Sequence, residues 1–171
     1  MHRRQKIGSY FLSDNTKHKM LELSRRSART KTEQCFKLCL NDKDKNITSG
    51  IPCQGEDISK SECKKDEKYI GTFYAHTRYT FNPSIEDLRN GYLDLMSCVG
   101  IINDIKCFKR KKEDFDISEY NDIKLVENKK NLSILNSKEA YGTEYSKELE
   151  IHRKEIKRLI DSYFDVINIK R

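Results

Sequence analysis

A histidine, a serine and two acidic residues are spaced in a way that suits a hydrolytic metal site. Tyr74 and His76 lie two residues apart in a strand-like segment, so their side chains share one face of the strand. Ser84 follows after a gap of seven residues, and Asp87 lies one turn into a predicted helix. A histidine and a carboxylate that converge from a strand end and a helix start are suitable ligands for Zn²⁺. Upstream, Glu33 begins a neighbouring predicted strand and can reach the same pocket.

This arrangement resembles the motif of the JAMM/MPN (JAB domain) metalloproteases. That motif is an upstream Glu, then His-x-His, seven residues, Ser, two residues and Asp. His76, Ser84 and Asp87 match it in order, and Glu33 suits the upstream position. The Gly-Thr-Phe at 71–73 also resembles the sequence before the motif in archaeal and bacterial members. The resemblance covers residues 6–108 and implies an MPN-like fold.

The resemblance also implies a role for each residue. His76, Asp87 and, at the place of the first His, Tyr74 would bind zinc. Glu33 would be the general base that takes a proton from a water molecule, and Ser84 would donate a hydrogen bond to the tetrahedral intermediate. The implied activity is that of a zinc-dependent peptidase or isopeptidase. The substrate would be a protein, in many relatives one joined to a ubiquitin-like modifier.

Tyr74 is the departure from the family pattern. A phenol titrates near pH 10 and is a poor zinc ligand at neutral pH unless the metal lowers its pKa. Three alternatives stay open. Tyr74 binds the metal as a phenolate, a nearby Cys thiolate or another residue replaces the missing imidazole, or the chain is a catalytically inactive MPN-like domain that serves as a scaffold for protein partners.

Hydrophobic periodicity predicts an α/β (α+β) fold, with a mixed sheet flanked by helices. Strands are expected at 6–13, 33–41, within 46–55, at 68–77, and as a pair within 97–111 joined by a turn at Asn103–Asp104. Helices are expected at 16–30, with Asp14, Asn15 or Thr16 as the N-cap, and at 84–96, with Ser84 as the N-cap and Asp87 at the capping-box position.

The last third of the chain is harder to assign. Residues 110–145 are polar and show no clear period, so they predict an inserted loop with one short strand at 122–128. Residues 146–171 predict a long amphipathic helix that packs on or extends a single domain formed by 1–145. This helix would also be the surface for a homodimer. Its apolar face is formed by Leu149, Ile156, Leu159, Ile160, Tyr163 and Ile167.

The six cysteines leave two readings open, because none of them forms a Cys-x-x-Cys zinc motif. They are either small buried apolar side chains or disulfide partners, and Cys98 and Cys107 would face one another if their strands are adjacent. The chain has no run of 18 apolar residues and no convincing signal sequence. The sequence therefore predicts a cytoplasmic protein that does not enter the membrane.

Positive charge is concentrated at the start of the chain. The net charge is +7, and residues 1–32 contain nine Lys or Arg against two acidic residues, so the remainder is balanced. Such a segment is most simply the solvated side of a strand and a helix, but it leaves open binding to nucleic acid through residues 3–31 or to an acidic protein surface. A phosphate-binding glycine loop and a Gly-x-Ser-x-Gly elbow are both missing from the sequence.

Overall fold

The computed structural model describes residues 5–55, 57–77, 83–137 and 142–170. Within them, the chain forms a mixed sheet of nine strands with four α-helices, which confirms the predicted class. In chain order the elements are β1 Gln5–Ile7, β2 Tyr10–Leu12, α1 Asp14–Thr30, β3 Gln34–Asn41, β4 Asn46–Ser49, β5 Cys53–Gln54, β6 Lys68–Ala75, α2 Ile85–Asp94, β7 Met96–Ile101, β8 Asp104–Arg110, α3 Ile117–Asn131, α4 Thr143–Tyr163 and β9 Phe164–Ile169. Short 3-10 helices occur at Ile58–Lys60 and Ile134–Asn136.

The strands are ordered β1-β2-β4-β3-β6-β7-β8-β9, and β5 pairs with β3. The β6–β7 and β2–β4 pairs are parallel, and the other pairs are antiparallel. The sheet curves so far that the backbone N–H of Lys170, just after β9, donates a hydrogen bond of 3.1 Å to Oε1 of Gln5 in β1.

Two hydrophobic cores lie on opposite faces of this sheet, because successive strand residues point to opposite sides. In β7, Cys98 belongs to the core beneath α1, which includes Met20 and Leu23. Its neighbour Val99 belongs to the core formed with α2, α3 and α4, which includes Leu88. Helices therefore cover both faces of the sheet.

The first helix begins earlier than the sequence predicts. Its N-cap is Ser13 rather than Asp14, Asn15 or Thr16, and the Ser13 hydroxyl accepts a hydrogen bond of 3.2 Å from the backbone N–H of Thr16. The single strand expected at 6–13 is in fact a hairpin of two short strands. The chain reverses at Gly8, whose φ of +63° is favourable for glycine.

Strands β3 and β6 form the centre of the sheet. Both are largely buried, and the rings of Phe36 and Phe73 stack across the pair with centroids 4.9 Å apart. The next strand, β7, approaches β6 so closely at Gly71 that a Cβ there would lie 2.1 Å from the carbonyl oxygen of Met96. Glycine is therefore required at this position of β6.

Arg110 joins the end of α2 to the loop that follows β8. Its guanidinium donates hydrogen bonds to three backbone carbonyls, those of Tyr92 at 2.6 Å, Lys112 at 2.8 Å and Glu113 at 2.6 Å. It also lies 5.5 Å from the centroid of the Tyr92 ring. A cation that satisfies carbonyls at the end of a helix is stabilised by the helix dipole, which explains why this charged side chain can be buried.

The prediction for residues 110–145 is wrong in part, because 122–128 lies inside helix α3 rather than forming a strand. Asp116 caps this helix by accepting hydrogen bonds from the N–H groups of Ser118 and Glu119. Ile123 and Val126 face the core. Their spacing of three residues was concealed by the exposed Leu125, which lies between them on the outer side.

The helix expected at 146–171 also ends earlier than predicted. Helix α4 ends at Tyr163, and the chain continues as the edge strand β9. Ile167 therefore pairs with Cys107 in β8 and does not belong to the apolar face of the helix. The turn between β7 and β8 is displaced by one residue, to Ile102–Asn103.

All six cysteines are paired in three disulfides, Cys35–Cys53, Cys39–Cys63 and Cys98–Cys107. The last of these joins residues that are direct cross-strand partners in β7 and β8, which confirms the arrangement in which they face one another. The first two attach the segment after β4 to β3 at two points.

Among the described residues, no helix combines the length and apolar character that crossing a bilayer requires.

We expect Arg110→Ala to lower the free energy of unfolding by about 3 kcal/mol, because it leaves the buried carbonyl of Tyr92 and the partly buried carbonyls of Lys112 and Glu113 without this donor. Urea denaturation measures this change. Lys64→Ala, in an exposed loop, is the matched control and should change the value by less than about 0.5 kcal/mol. Equal effects of the two substitutions would contradict the role given to Arg110.

We expect the double substitution Cys39→Ala and Cys63→Ala to lower the unfolding free energy by about 3 kcal/mol, since the bond closes a loop across 24 residues of separation. Denaturation without reductant tests this. In the same denaturant, the wild-type protein should show no reactive thiol until reductant is added. Thiols that titrate before reduction would show that the pairing is wrong.

Candidate functional site

The candidate site lies where β6 ends and α2 begins. Strands β6 and β7 are parallel, and α2 connects them, so the start of α2 is placed near the carboxyl end of β6. In sheets of this kind the carboxyl ends of parallel strands are a frequent location for ligand sites. Residues 78–82, in the connection between β6 and α2, lie outside the described residues.

The β3–β6 register brings Glu33 and His76 to neighbouring positions. Gln34 and Ala75 are paired, so Glu33 and His76 occupy the next register position at the same end of the sheet. The backbone of each is fixed, because the N–H of His76 donates to the carbonyl of Gly100 at 2.8 Å and the carbonyl of Glu33 accepts from Gly55 at 2.7 Å. Both side chains are half-buried.

Tyr74 lies on the sheet face that α2 covers. Its register partners are Cys35 in β3 and Val99 in β7, and Val99 belongs to the core beneath α2. Cys35 is bonded to Cys53, so its sulfur is committed to a disulfide beside Tyr74. His76 follows two residues later and shares the strand face of Tyr74 if the extended backbone continues.

Ser84 and Asp87 form a capping box at the start of α2, as the sequence predicts. The Ser84 hydroxyl accepts a hydrogen bond of 3.0 Å from the N–H of Asp87, and Oδ2 of Asp87 accepts one of 3.1 Å from the N–H of Ser84. One carboxylate oxygen of Asp87 is therefore used to start the helix. The other oxygen is the one with which Asp87 would bind a metal.

Glu86 extends the charged surface beside this cap. Burial acts to raise the pKa of Glu86, but hydrogen bonds from its own backbone N–H and from Ser84, together with the positive charge of Lys130, hold it below the ordinary value. The Lys130 ammonium lies 3.2 Å from the Glu86 carboxylate. This ion pair connects α2 to α3 next to the capping box.

The expected zinc ligands do not form a complete set by themselves. Among the described residues, no three His, Cys, Asp or Glu side chains are grouped closely enough to hold a metal ion. His76 and Asp87 have suitable chemistry, but a third protein ligand at this site would have to be Tyr74. The residues present therefore fit zinc only if the phenol takes part.

Sequence reasoning missed a second polar cluster on the same sheet face, formed by Lys37, Tyr69 and Asp94. The Tyr69 hydroxyl donates a hydrogen bond of 2.8 Å to Asp94, and the Lys37 ammonium lies 5.3 Å from the centroid of the Tyr69 ring. A register shift between Leu38 and Cys39 pairs Cys39 with Tyr69 and leaves one extra residue, Ile70, in β6. This bulge turns Tyr69 to the face of Tyr74, and the sequence alternation gives no sign of it.

The ionisation of this cluster is strongly perturbed. Burial, followed by the charge of Asp94 and the hydrogen bond to it, raises the pKa of Tyr69. Burial also raises the pKa of Asp94, against the hydrogen bond from Tyr69 and the charges of Lys37 and Arg110. Asp94 is the last residue of α2, where the helix dipole is unfavourable to a negative charge.

Comparison with known proteins adds no assignment: no protein-family model matches the chain, and no curated protein is significantly similar to it.

We expect Asp94→Asn to gain stability relative to the wild type as the pH rises from about 3 to about 7. A carboxyl whose folded-state pKa is raised favours folding while it is protonated, and this contribution is lost as it ionises. The asparagine variant does not ionise at this position, so its stability does not fall for this reason as the pH rises. Urea denaturation of both proteins at the two pH values measures the difference, with the exposed Asp114→Asn as the control. If the unfolding free energies of the variant and the wild type differ by the same amount at both pH values, the raised pKa of Asp94 is contradicted.

Proposed function

We propose that this chain is a JAMM-like, zinc-dependent peptidase or isopeptidase with an altered metal site and an MPN-like fold. The observation that supports this most strongly is the β3–β6 register, which puts Glu33 next to His76 at the end of the sheet from which α2 starts. Ser84 and Asp87 lie in the first turn of that helix. The order and placement of these residues agree with the motif that the sequence resembles.

Each residue then has a distinct role. His76 and Asp87, with Tyr74 as a phenolate, would hold the zinc ion, which when bound makes a water molecule more acidic and polarises the substrate carbonyl. Glu33 takes a proton from the attacking water and returns it to the departing amine. The Ser84 hydroxyl donates to the oxyanion, for which it must turn away from its hydrogen bond with Glu86.

The substrate class follows from the same resemblance. The bond cleaved would be an amide or isopeptide bond, and the partner a protein, including one that carries a ubiquitin-like modifier. Substrate would approach the end of β6 on the face of α2, where Tyr74 and Glu33 are half-buried. A mixed tyrosine and carboxylate surface of this kind can donate and accept hydrogen bonds along a peptide backbone.

A second candidate is a catalytically inactive MPN-like scaffold that binds protein partners. Tyr74 in the place of an imidazole favours it, together with the incomplete set of His, Cys, Asp and Glu ligands among the described residues. A homodimer through the C-terminal helix stays a prediction. Leu159 is fully buried inside the molecule, so such a dimer would use the outer side of α4, where Ile151 is exposed.

The cytoplasmic location also stays a prediction, and the cysteines bear on it. Disulfides persist in oxidising compartments, and in the intracellular proteins of some hyperthermophiles. Three disulfides therefore favour one of these two settings over a reducing cytosol. In either setting Cys35 stays bonded to Cys53 and supplies no thiolate to the site. The proposed third zinc ligand is therefore Tyr74 and not Cys35.

Elemental analysis of the purified, zinc-loaded protein tests the proposal. We expect about one zinc ion per chain, lost in His76→Ala and in Tyr74→Phe. Glu33→Gln should retain the metal and lower cleavage of a fluorogenic isopeptide substrate by at least about 100-fold, because only the base is removed. Glu62→Gln, an exposed carboxylate outside the site, is the control and should leave both quantities unchanged.

The outcomes separate the two candidates. A protein that takes up no zinc near neutral pH is the scaffold and not the enzyme. Zinc that binds only after a dithiol reductant is added would assign the third ligand to a freed cysteine such as Cys35 instead of Tyr74. Zinc uptake that is unaffected by His76→Ala would place the metal elsewhere and contradict the proposed site.

A further inference from the structure

The excess positive charge of this protein is carried by its first 32 residues, and α1 is the main element there. Beyond residue 32, 25 basic residues are balanced by 25 acidic ones. One side of α1 packs on the sheet through Met20, Leu23, Ser24 and Ser27, which are all buried. The basic residues are therefore restricted to the other side, where they face the solvent.

That outer side of α1 borders an open cavity of about 660 Å³. Each lining residue has another one three or four positions away along the chain, so together they form a single stripe along the helix. From the first to the last, the stripe extends about 16 Å. The described lining consists of His18, Leu21, Glu22, Arg25, Arg26 and Arg29.

Two of the three arginines in this stripe have no acidic partner among the described residues. Arg26 is paired with Glu22 at 2.9 Å. Arg25 uses its Nε to donate to the side-chain carbonyl of Asn103 at 2.8 Å, which orients the guanidinium and leaves the donors of its two terminal nitrogens for a ligand. Arg29 is exposed in the last turn of the helix. Arg25 and Arg29 are one turn apart on the same face.

We propose that this arginine face of α1 binds the phosphate backbone of double-stranded nucleic acid without sequence preference. Guanidinium groups bind phosphate through paired hydrogen bonds, and they do so better than ammonium groups. Double-stranded DNA presents a continuous row of phosphates, and guanidinium groups one helical turn apart can contact it without any base stacking. Contacts to phosphate alone carry no sequence information.

This surface is independent of the candidate hydrolytic site. Helix α1 packs on one face of the sheet, and the core of α2 lies on the other. Helix α1 does reach the end of β6, where the Ser27 hydroxyl donates to the Ala75 carbonyl at 3.0 Å, but Ser27 lies on the buried side of the helix and the arginines on the outer side. The two proposals can succeed or fail separately, because duplex binding requires neither metal nor cleavage.

The salt dependence of binding to a fluorescently labelled DNA duplex tests the inference, with fluorescence anisotropy as the readout. Contacts from the two arginines that have no acidic partner among the described residues predict a slope of log K against log salt of about −1.8, which is a loss of about 12-fold between 50 and 200 mM salt. Arg25→Gln combined with Arg29→Gln should reduce the slope to about zero.

The matched control is Lys64→Gln combined with Lys65→Gln, which removes the same charge from an exposed loop before β6. It should leave the slope unchanged. If the control reduces the slope as much as the arginine pair does, the binding depends on net charge and the proposal is wrong. Equal binding to poly-glutamate would assign the face to an acidic protein surface instead, and an absence of duplex binding at 50 mM salt would also overturn it. Circular dichroism of each variant verifies that α1 is intact.

Discussion

The register between β3 and β6 is the constraint on which the rest of the structure depends. Each strand has buried residues on both faces, with Phe36 and Phe73 stacked on the α1 side and Tyr74 on the side of α2. A slip of one residue would exchange these two faces and move the aromatic pair out of its core. The same pairing sets Glu33 next to His76, so the geometry of the candidate site is determined by the packing of the core rather than by contacts within the site.

Much of this centre could be predicted from the sequence because its signals are local. The alternation in 33–41, the aromatic and β-branched residues in 68–77 and the capping box of Ser84 and Asp87 are each contained within a few neighbouring residues. The structure places β3, β6 and α2 within these limits. The facing positions of Cys98 and Cys107 also followed from a local hairpin, whereas the sequence left open whether the two residues form a disulfide.

The features that the sequence concealed depend on distant parts of the chain. The bulge in β6 arises where β3 and β6 must both pack on two cores, and nothing in the order of residues 68–71 marks it. Helix α3 shows almost no amphipathic pattern, since its burial is decided by α2 on one side and α4 on the other. The change from α4 to β9 at Phe164 occurs because β8 offers an open edge, which only the assembled sheet provides.

The bulge and the disulfides decide which polar groups share the sheet face of Tyr74. The bulge turns Tyr69, near the start of β6, to this face, where its hydroxyl donates to Asp94 at the end of α2 and both groups have a raised pKa. The bond between Cys35 and Cys53 keeps the cysteine beside Tyr74 out of the reach of a metal. Under the proposed function, whether the oxidised protein is an enzyme or a scaffold is therefore decided by the phenol of Tyr74. If Tyr74 ionises against a metal held by His76 and Asp87, the site is complete, and if it stays protonated, two ligands are too few to hold zinc for catalysis.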